Sequence, residues 1–324
     1  MKAAVYTKYG GPEVVSIHDV PKATPNPNEV CIRTKATTVN SADWRLRSKT
    51  FPKGFGLLAQ LFFGITSPRK HILGTELAGV IEEVGREVTE FKLGDAVFCT
   101  DDSGMGCHAE FKTIPAAGTI AMKPENLSFE QAAAISFGGH TALSFLSKWG
   151  KVRPGENVLV NGASGTTGLA CIQLAKHFGA TVTAVCSKGN HNLVEESGAD
   201  FTIDYTKDDF TQDGNTYDVI VDTVGTAPWS RSEASLTDTG RLLSILGTFS
   251  DMMRGRFPSR SKGKKLISGA AKVNRDDLQF LAKLCETGAF TPILDCVLPF
   301  EDIQAAYRRV DSGRKRGSVV LTFS

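Results

Sequence analysis

The 324-residue chain has no uninterrupted apolar run approaching the length of about 18 residues that a membrane-spanning helix needs, so no membrane span is expected. Its opening residues, Met1-Lys2-Ala3-Ala4-Val5-Tyr6, lack the apolar core of a secretory leader and read as a strand. Excess charge of one sign is also missing. Lys and Arg total 37 against 35 Asp and Glu, and a net charge of +2 is too mild to argue for a nucleic-acid partner. The seven cysteines, Cys31, Cys99, Cys107, Cys171, Cys186, Cys285 and Cys296, are scattered and odd in number, which excludes a disulfide framework. That usage fits reduced thiols in cores and a cytoplasmic setting. No internal repeat or low-complexity tract is present. What is left, 41% hydrophobic and 22% charged residues, is the composition of a globular protein, and the length favours two domains.

The G-x-G-x-x-G string is absent as well, but a related stretch dominates the chain. Val158-Leu159-Val160 leads into Gly162-Ala163-Ser164-Gly165-Thr166-Thr167-Gly168 and then into a helical pattern. Gly168, Cys171, Ile172 and Ala175 recur at helical spacing, as on a face turned to a sheet. Glycines three apart let the chain bend sharply and let a pyrophosphate approach the backbone, and the helix N-terminus offers it free N–H groups. An ordinary tight βα turn has the same local signature. The surroundings favour the first reading. Thr181–Cys186, Tyr217–Thr223 and Arg241–Gly247 are further apolar runs bounded by turn residues, with helical stretches between them. Strands alternating with helices imply a parallel, doubly wound sheet that binds a dinucleotide at the carboxyl ends of its strands.

A carboxylate is missing where an NAD site would place one, about 20 residues past the glycine turn, to bond the ribose 2′-hydroxyl. Cys186-Ser187-Lys188-Gly189-Asn190 stands there instead. A hydroxyl, an ammonium and an amide suit a 2′-phosphate, so NADPH is the expected cofactor. A solvated loop without acid is the alternative.

From Met1 to about Lys123 the texture is short alternating runs separated by Gly, Pro and Asn, at Ala3–Thr7, Val14–Asp19, Glu29–Lys35, Leu77–Val84, Ala96–Thr100 and Phe111–Ile114. This predicts a mostly β, barrel-like module. A helical stretch, Ser128–Trp149, follows, opening with a Ser128/Gln131 capping box. Asp276–Glu286 and Pro299–Asp311 read as helices, and Ser318–Phe323 as a terminal strand.

Gly10-Gly11-Pro12-Glu13-Val14, Val39-Asn40-Ser41-Ala42-Asp43-Trp44, Gly74-Thr75-Glu76-Leu77-Ala78-Gly79-Val80, Gly94-Asp95-Ala96-Val97-Phe98 and the turn Gly162–Gly168 together resemble the medium-chain dehydrogenase/reductase superfamily, in its zinc-free quinone oxidoreductase branch. The resemblance spans essentially the whole chain in order. It implies a GroES-like, mostly β catalytic domain of residues 1–124 and 276–324, and a Rossmann NADPH-binding domain of residues 125–275. It also implies a cleft between them where NADPH gives hydride to a quinone or an α,β-unsaturated carbonyl. A homodimer is the expected assembly.

Zinc-dependent relatives hold catalytic zinc with a Cys, the His of a Gly-His-Glu string and a later Cys or Asp. At matching positions this chain has Asn40, Thr75 and the neighbourhood of Phe137-Gly138-Gly139-His140. Structural zinc needs four closely spaced thiolates, and the corresponding stretch offers only Cys99 and Cys107, with His108 beside the second. No metal is expected. The substrate carbonyl must then be polarised by hydrogen bonds or positive charge. The resemblance places Asn40 beside the nicotinamide ribose and Thr141 under the ring. Ser164, Gly165, Thr166 and Thr167 take the pyrophosphate; Ser187, Lys188, Asn190 and Tyr205 the 2′-phosphate end; and Val224, Gly225, Leu246 and Gly247 the loops beyond. Lys188 and Arg316 are both candidates for the phosphate charge. Arg45 falls where related reductases carry Tyr or Lys, and a guanidinium there can hold a developing enolate. A surface Arg paired with Asp43 is the alternative, and Asp43 itself reads as structural.

Two further stretches bear on the substrate. Residues 51–71 are strongly apolar, suited to a hydrophobic cleft wall or a membrane surface, or to core or subunit packing. Arg254, Arg256, Arg260, Lys262, Lys264 and Lys265 form an acid-free basic stretch, a solvated loop or a contact for an anion or RNA. Besides the quinone or enone reductase, an enoyl-thioester reductase of the same fold and a non-catalytic nucleotide- or RNA-binding relative are consistent with the sequence.

Overall fold

The structure is a computed structural model that describes residues 1–254 and 263–324. Strands β1 (Lys2–Tyr6), β2 (Val15–Asp19) and β3 (Glu29–Val39) open the chain, followed by helices α1 (Ser41–Ser48) and α2 (Gly56–Phe63). Next come β4 (Glu76–Val84), β5 (Ala96–Thr100), β6 (Phe111–Pro115) and β7 (Ile120–Met122), then α3 (Phe129–Ala133) and α4 (Ser136–Leu143). The middle of the chain runs β8 (Asn157–Asn161), α5 (Thr166–His177), β9 (Thr181–Cys186), α6 (His191–Glu196), β10 (Phe201–Asp204), β11 (Tyr217–Asp222), α7 (Trp229–Ser232), β12 (Leu236–Ser244), α8 (Phe249–Arg254) and β13 (Lys265–Ser268). Helix α9 (Arg275–Glu286), β14 (Leu294–Pro299), α10 (Ile303–Asp311) and β15 (Ser318–Thr322) finish it. The chain divides into two units: Met1–Phe51 with Gly56–Phe137 and Val273–Ser324, and Pro52–Phe55 with Gly138–Lys272. The sequence places the domain change near residues 124/125 and 275/276. The contacts place it inside α4 and just before α9.

The first unit is built on β3, which pairs antiparallel with β4, β6 and β15. The sheet runs β14-β15-β3-β4-β5-β7, with β6 on β3, and its one parallel pair is β14 with β15. The last strand of the chain therefore completes a sheet begun by the first hundred residues. Ile32, Leu77, Ile81, Val97, Ile114 and Ile120 fill the inside of this mostly β, GroES-like module. A second core joins Tyr6, Val15 and Val39 to Phe300, Tyr307 and Val319.

The second unit holds six parallel strands in the order β10-β9-β8-β11-β12-β13. Counted from β8, this is the 3-2-1-4-5-6 order of the Rossmann fold. Strands β8 and β11 lie at its centre and are apolar on both faces: Val158, Leu159, Val160, Val219, Ile220 and Val221 are all buried. On α5 the predicted face, Gly168, Cys171, Ile172 and Ala175, is buried, and the expected alternation of strand and helix is present.

The helical stretch predicted over Ser128–Trp149 is broken. Ser128 and Gln131 do form the capping box of α3. The turn after α3 then tightens, with Ala134 N–H bonded to Gln131 O and Ile135 N–H to Ala132 O. Helix α4 starts afresh, and Ser144–Trp149 widens to a π turn. Among the described residues, no helix is long and apolar enough to cross a membrane.

Candidate cofactor site

Strand β8 ends at Asn161 and the chain bends at Gly162, whose φ of +78° is left-handed. Its N–H and that of Ala163 both donate to Val185 O on β9, at 3.2 and 3.1 Å. A Cβ at Gly162 would sit 2.5 Å from both Thr223 Oγ1 and Val224 Cγ1, so only glycine fits between the turn and the loop after β11. At Gly168 a Cβ would press on Gly162 O and come within 2.6 Å of Ala163 O, so the helix rests directly on the turn. Gly165 caps α5 and makes no side-chain cap hydrogen bond, so no cap side chain covers the N-terminus of the helix. Its first-turn N–H groups are the donor array that a pyrophosphate requires.

The residues expected around it gather along one edge of the sheet. Asn190 Nδ2 donates to Ser164 Oγ at 3.0 Å and to Ser187 Oγ at 3.2 Å, joining the glycine turn to the end of β9. Asn190 Oδ1 is buried without a hydrogen-bond partner, an acceptor that a ligand hydroxyl or a side-chain flip would satisfy. Asp204 pairs with Cys186 in the sheet register, so Tyr205 and Ser187 leave β10 and β9 side by side. Tyr205 and Lys188 are exposed. Val224-Gly225 and Leu246-Gly247 follow β11 and β12 at the same edge, and Ile245 N–H donates to Asp222 O at 3.0 Å. Thr141 lies in the same unit, on α4. Arg316 belongs to the first unit, where its N–H donates to Asp295 Oδ1 at 2.7 Å.

Sequence reading missed three polar groups here. The Asp204 carboxylate stands one strand over from the position where acid is absent, and accepts from Thr206 Oγ1 at 2.8 Å and Thr206 N–H at 3.1 Å. The Thr206 hydroxyl, with the Thr206 and Lys188 amides, holds its carboxyl below the usual range, so it is anionic. Asn161 and Asp222, the second and third, are joined in a buried network at the ends of β8 and β11. Their signal in the sequence was a polar residue ending each of two otherwise apolar runs.

In the first unit, Asn40 caps α1. Its Oδ1 accepts from the N–H groups of Ala42 at 2.9 Å and Asp43 at 3.2 Å, and its Nδ2 donates to Thr75 Oγ1 at 3.0 Å. Asp43 returns the cap by accepting from Asn40 N–H at 3.0 Å and also takes Gly74 N–H at 2.9 Å. It is a fully buried structural carboxylate, with burial raising its pKa and His108 nearby opposing the rise. Arg45 is not drawn to it: the half-buried guanidinium lies 5.2 Å from the Trp44 ring, and burial lowers its pKa. His108 is buried, 2.8 Å from Thr38 O and edge-on to Tyr307. Glu76 was not singled out by the sequence reading. Its two oxygens take the Thr38 hydroxyl and, at 2.6 Å, the Phe137 N–H, and burial pushes its pKa up to about 8.

The apolar stretch is split in use. Phe51 stacks on Phe63 and both pack on the first unit's core, whereas Leu58, Leu61, Phe62 and Ile65 are exposed. Phe55 meets Phe249 edge-on within the second unit. Of the basic stretch, Arg256, Arg260 and Lys262 lie outside the described residues. Arg254 stands over the Trp229 ring, and Lys264 donates to Glu233 O at 2.9 Å.

Comparison with known proteins agrees with this architecture. Residues 26–125 match the alcohol dehydrogenase GroES-like domain, and residues 197–321 match the zinc-binding dehydrogenase family. A quinone oxidoreductase of Pseudomonas aeruginosa is 33% identical over 251 residues, covering 75% of this chain and 73% of its own length. The 2-methylene-furan-3-one reductase of Solanum lycopersicum is 31% identical over 333 residues, covering 99% and 79%. The solved structure of the quinone oxidoreductase from Coxiella burnetii superposes with a TM-score of 0.87 at 28% identity, covering 100% of this chain and 99% of that one. A sheet in Rossmann order and a GroES-like module in one chain, with these relatives, define a medium-chain dehydrogenase/reductase. The chain belongs to that superfamily and, within it, to the oxidoreductases of the quinone oxidoreductase-like branch.

The second family's description mentions zinc, but Asn40 and Thr75, in the segment matched by the GroES-like domain, offer it no thiolate or imidazole. The Asn40 amide is spent on a helix cap and on Thr75, and neither an amide nor a threonine hydroxyl replaces a thiolate or imidazole. Among the described residues, no group of three or more His, Cys, Asp or Glu is placed to hold a metal.

Proposed function

We propose that this protein is an NADPH-dependent reductase that delivers hydride to a quinone or an α,β-unsaturated carbonyl without zinc. The observation that carries the reading is the uncapped N-terminus of α5 behind a turn only glycine can make, with Ser164, Ser187 and Asn190 drawn together beside it. Bound there, the nicotinamide nucleotide would supply the hydride. The first-turn amides of α5, with Ser164, Gly165, Thr166 and Thr167, would hold its pyrophosphate. Ser187, Lys188 and Asn190 would hold the 2′-phosphate, with Tyr205 beside them. The second-strand end lacks a carboxylate, and the Asp204 carboxylate is turned onto Thr206. Both features favour the phosphorylated nucleotide. Val224, Gly225, Leu246, Gly247 and Thr141 complete the nucleotide side.

On the substrate side, Asn40 would meet the nicotinamide ribose and Arg45 would hold the carbonyl oxygen as negative charge develops. Among the described residues no carboxylate clamps the guanidinium, and it lies over the Trp44 ring, an arrangement that suits that role. Two relatives support the substrate class by name, one a quinone oxidoreductase and the other a reductase of a methylene furanone, itself an enone. The free thiols of all seven cysteines suit the reducing cytoplasm. The test is NADPH oxidation against a panel of quinones, enones and crotonyl thioesters, with elemental analysis of the same sample. Turnover of quinones or enones by metal-free protein is expected. Turnover confined to thioesters, or one zinc per chain, overturns the reading.

A further inference from the structure

We infer that Asp222, with Asn161, is a clamp that positions the loop Thr223–Ala227 against the glycine turn, making Asp222 a positioning residue for the nicotinamide nucleotide; this rests on the functional reading above. Asn161 and Asp222 are the last residues of β8 and β11, neighbours in parallel register at the ligand edge of the sheet. Both are buried, at 7% and 2% exposure. The Asp222 carboxylate accepts from Asn161 Nδ2 at 3.0 Å and from the backbone N–H groups of Val224 at 3.2 Å, Gly225 at 2.9 Å and Ala227 at 2.9 Å. One side chain thus gathers three amides of a five-residue loop, and bonds to an anion are the strong ones. Asn161 Nδ2 reaches on to Thr226 Oγ1 at 2.8 Å, so the clamp grips the loop from the neighbouring strand too.

The loop in turn holds the glycine turn. Thr223 Oγ1 donates to Asn161 O at 2.9 Å and to Gly162 O at 3.2 Å, and Thr223 N–H to Asn161 O at 3.1 Å. The missing Cβ of Gly162 leaves just enough room for Thr223 and Val224. Asp222 touches no ligand position itself. It fixes where Val224-Gly225 stands relative to the pyrophosphate turn, and a nucleotide lying across both feels any error in that spacing.

A local structural carboxylate with no bearing on the cofactor would show itself as lost stability alone. Asp222→Asn keeps the shape but turns an amide N–H toward groups that donate. Thr226→Val, at an exposed residue, removes one acceptor without threatening the fold. Two readouts are taken on the full chain. In cofactor-free Asp222→Asn, the amides of Val224, Gly225 and Ala227 are expected to exchange roughly tenfold or more faster, with the β8 amides unchanged. With NADPH, Kd and KM are expected to rise roughly tenfold while kcat at saturation moves by less than about twofold. Thr226→Val is expected to raise Kd by about threefold at unchanged Tm. A lower Tm with unchanged Kd, or unchanged exchange in the loop, overturns the clamp. Wild-type protein that binds neither NADPH nor NADH overturns the functional reading, and the exchange of the cofactor-free loop still tests the clamp's geometry separately.

Discussion

Glu76 accepts from one hydroxyl and one amide in the core of the first unit, and its carboxyl keeps its proton up to about pH 8 because burial penalises the anion, with the nearby Asp43 and Asp102 adding to the rise. The folded chain therefore binds a proton that the unfolded chain releases near the ordinary 4.5, and stability falls as pH rises from there through 8. Denaturation of wild type and Glu76→Gln between pH 5 and 8 is expected to show wild type losing on the order of 3 kcal/mol more than the variant. Parallel curves would contradict this. Gly168→Ala drives a methyl onto two carbonyl oxygens of the turn, and is expected to cost roughly 1–3 kcal/mol and to abolish tight nucleotide binding. Retained binding at wild-type stability would show that the helix does not rest on the turn as described. Arg45→Ala is expected to lower turnover by roughly 100-fold at little cost to stability, checked by steady-state kinetics. Full turnover would remove Arg45 from the chemistry. The sequence made the glycines and Ser187 legible because their chemistry is local. It hid the capping role of Asn40, although Asn40-Ser41-Ala42-Asp43 carries the spacing of a capping box, because a residue at a family's ligand position draws a functional reading first.

At the scale of elements, β8 and α5 are specified twice over, by an unbroken apolar run and by a buried helical face. Ile172→Ala opens a cavity between the two layers and is expected to cost roughly 3 kcal/mol in chemical denaturation, with the m-value unchanged. A cost below about 0.5 kcal/mol would mean that this face is not the packed one. Strands β7, β10, β13 and β14 were not legible. They are short or carry exposed residues, and their conformation comes from the neighbour they pair with, a long-range contact that no local pattern encodes. The break between α3 and α4 was hidden for a related reason. Ala134 and Ile135 suit a helix as well as any residue, and only the tightened hydrogen bonds after Ala133 end it.

Over the whole molecule, the order of strands in the second unit follows from the alternation of apolar runs and helices, and the functional edge follows from that order. The return of the C-terminal strand to β3 was legible only as a strand, since its pairing spans nearly the entire chain. The central claim is that the edge carrying Ser164–Thr167 and Ser187–Asn190 is built for a nucleotide with a 2′-phosphate. Titration calorimetry with NADPH and NADH on wild type and on Ser187→Ala/Lys188→Ala tests it most directly. NADPH is expected to bind wild type roughly tenfold or more tightly than NADH, with the difference lost in the double variant. Comparable affinity of wild type for the two nucleotides would contradict the claim.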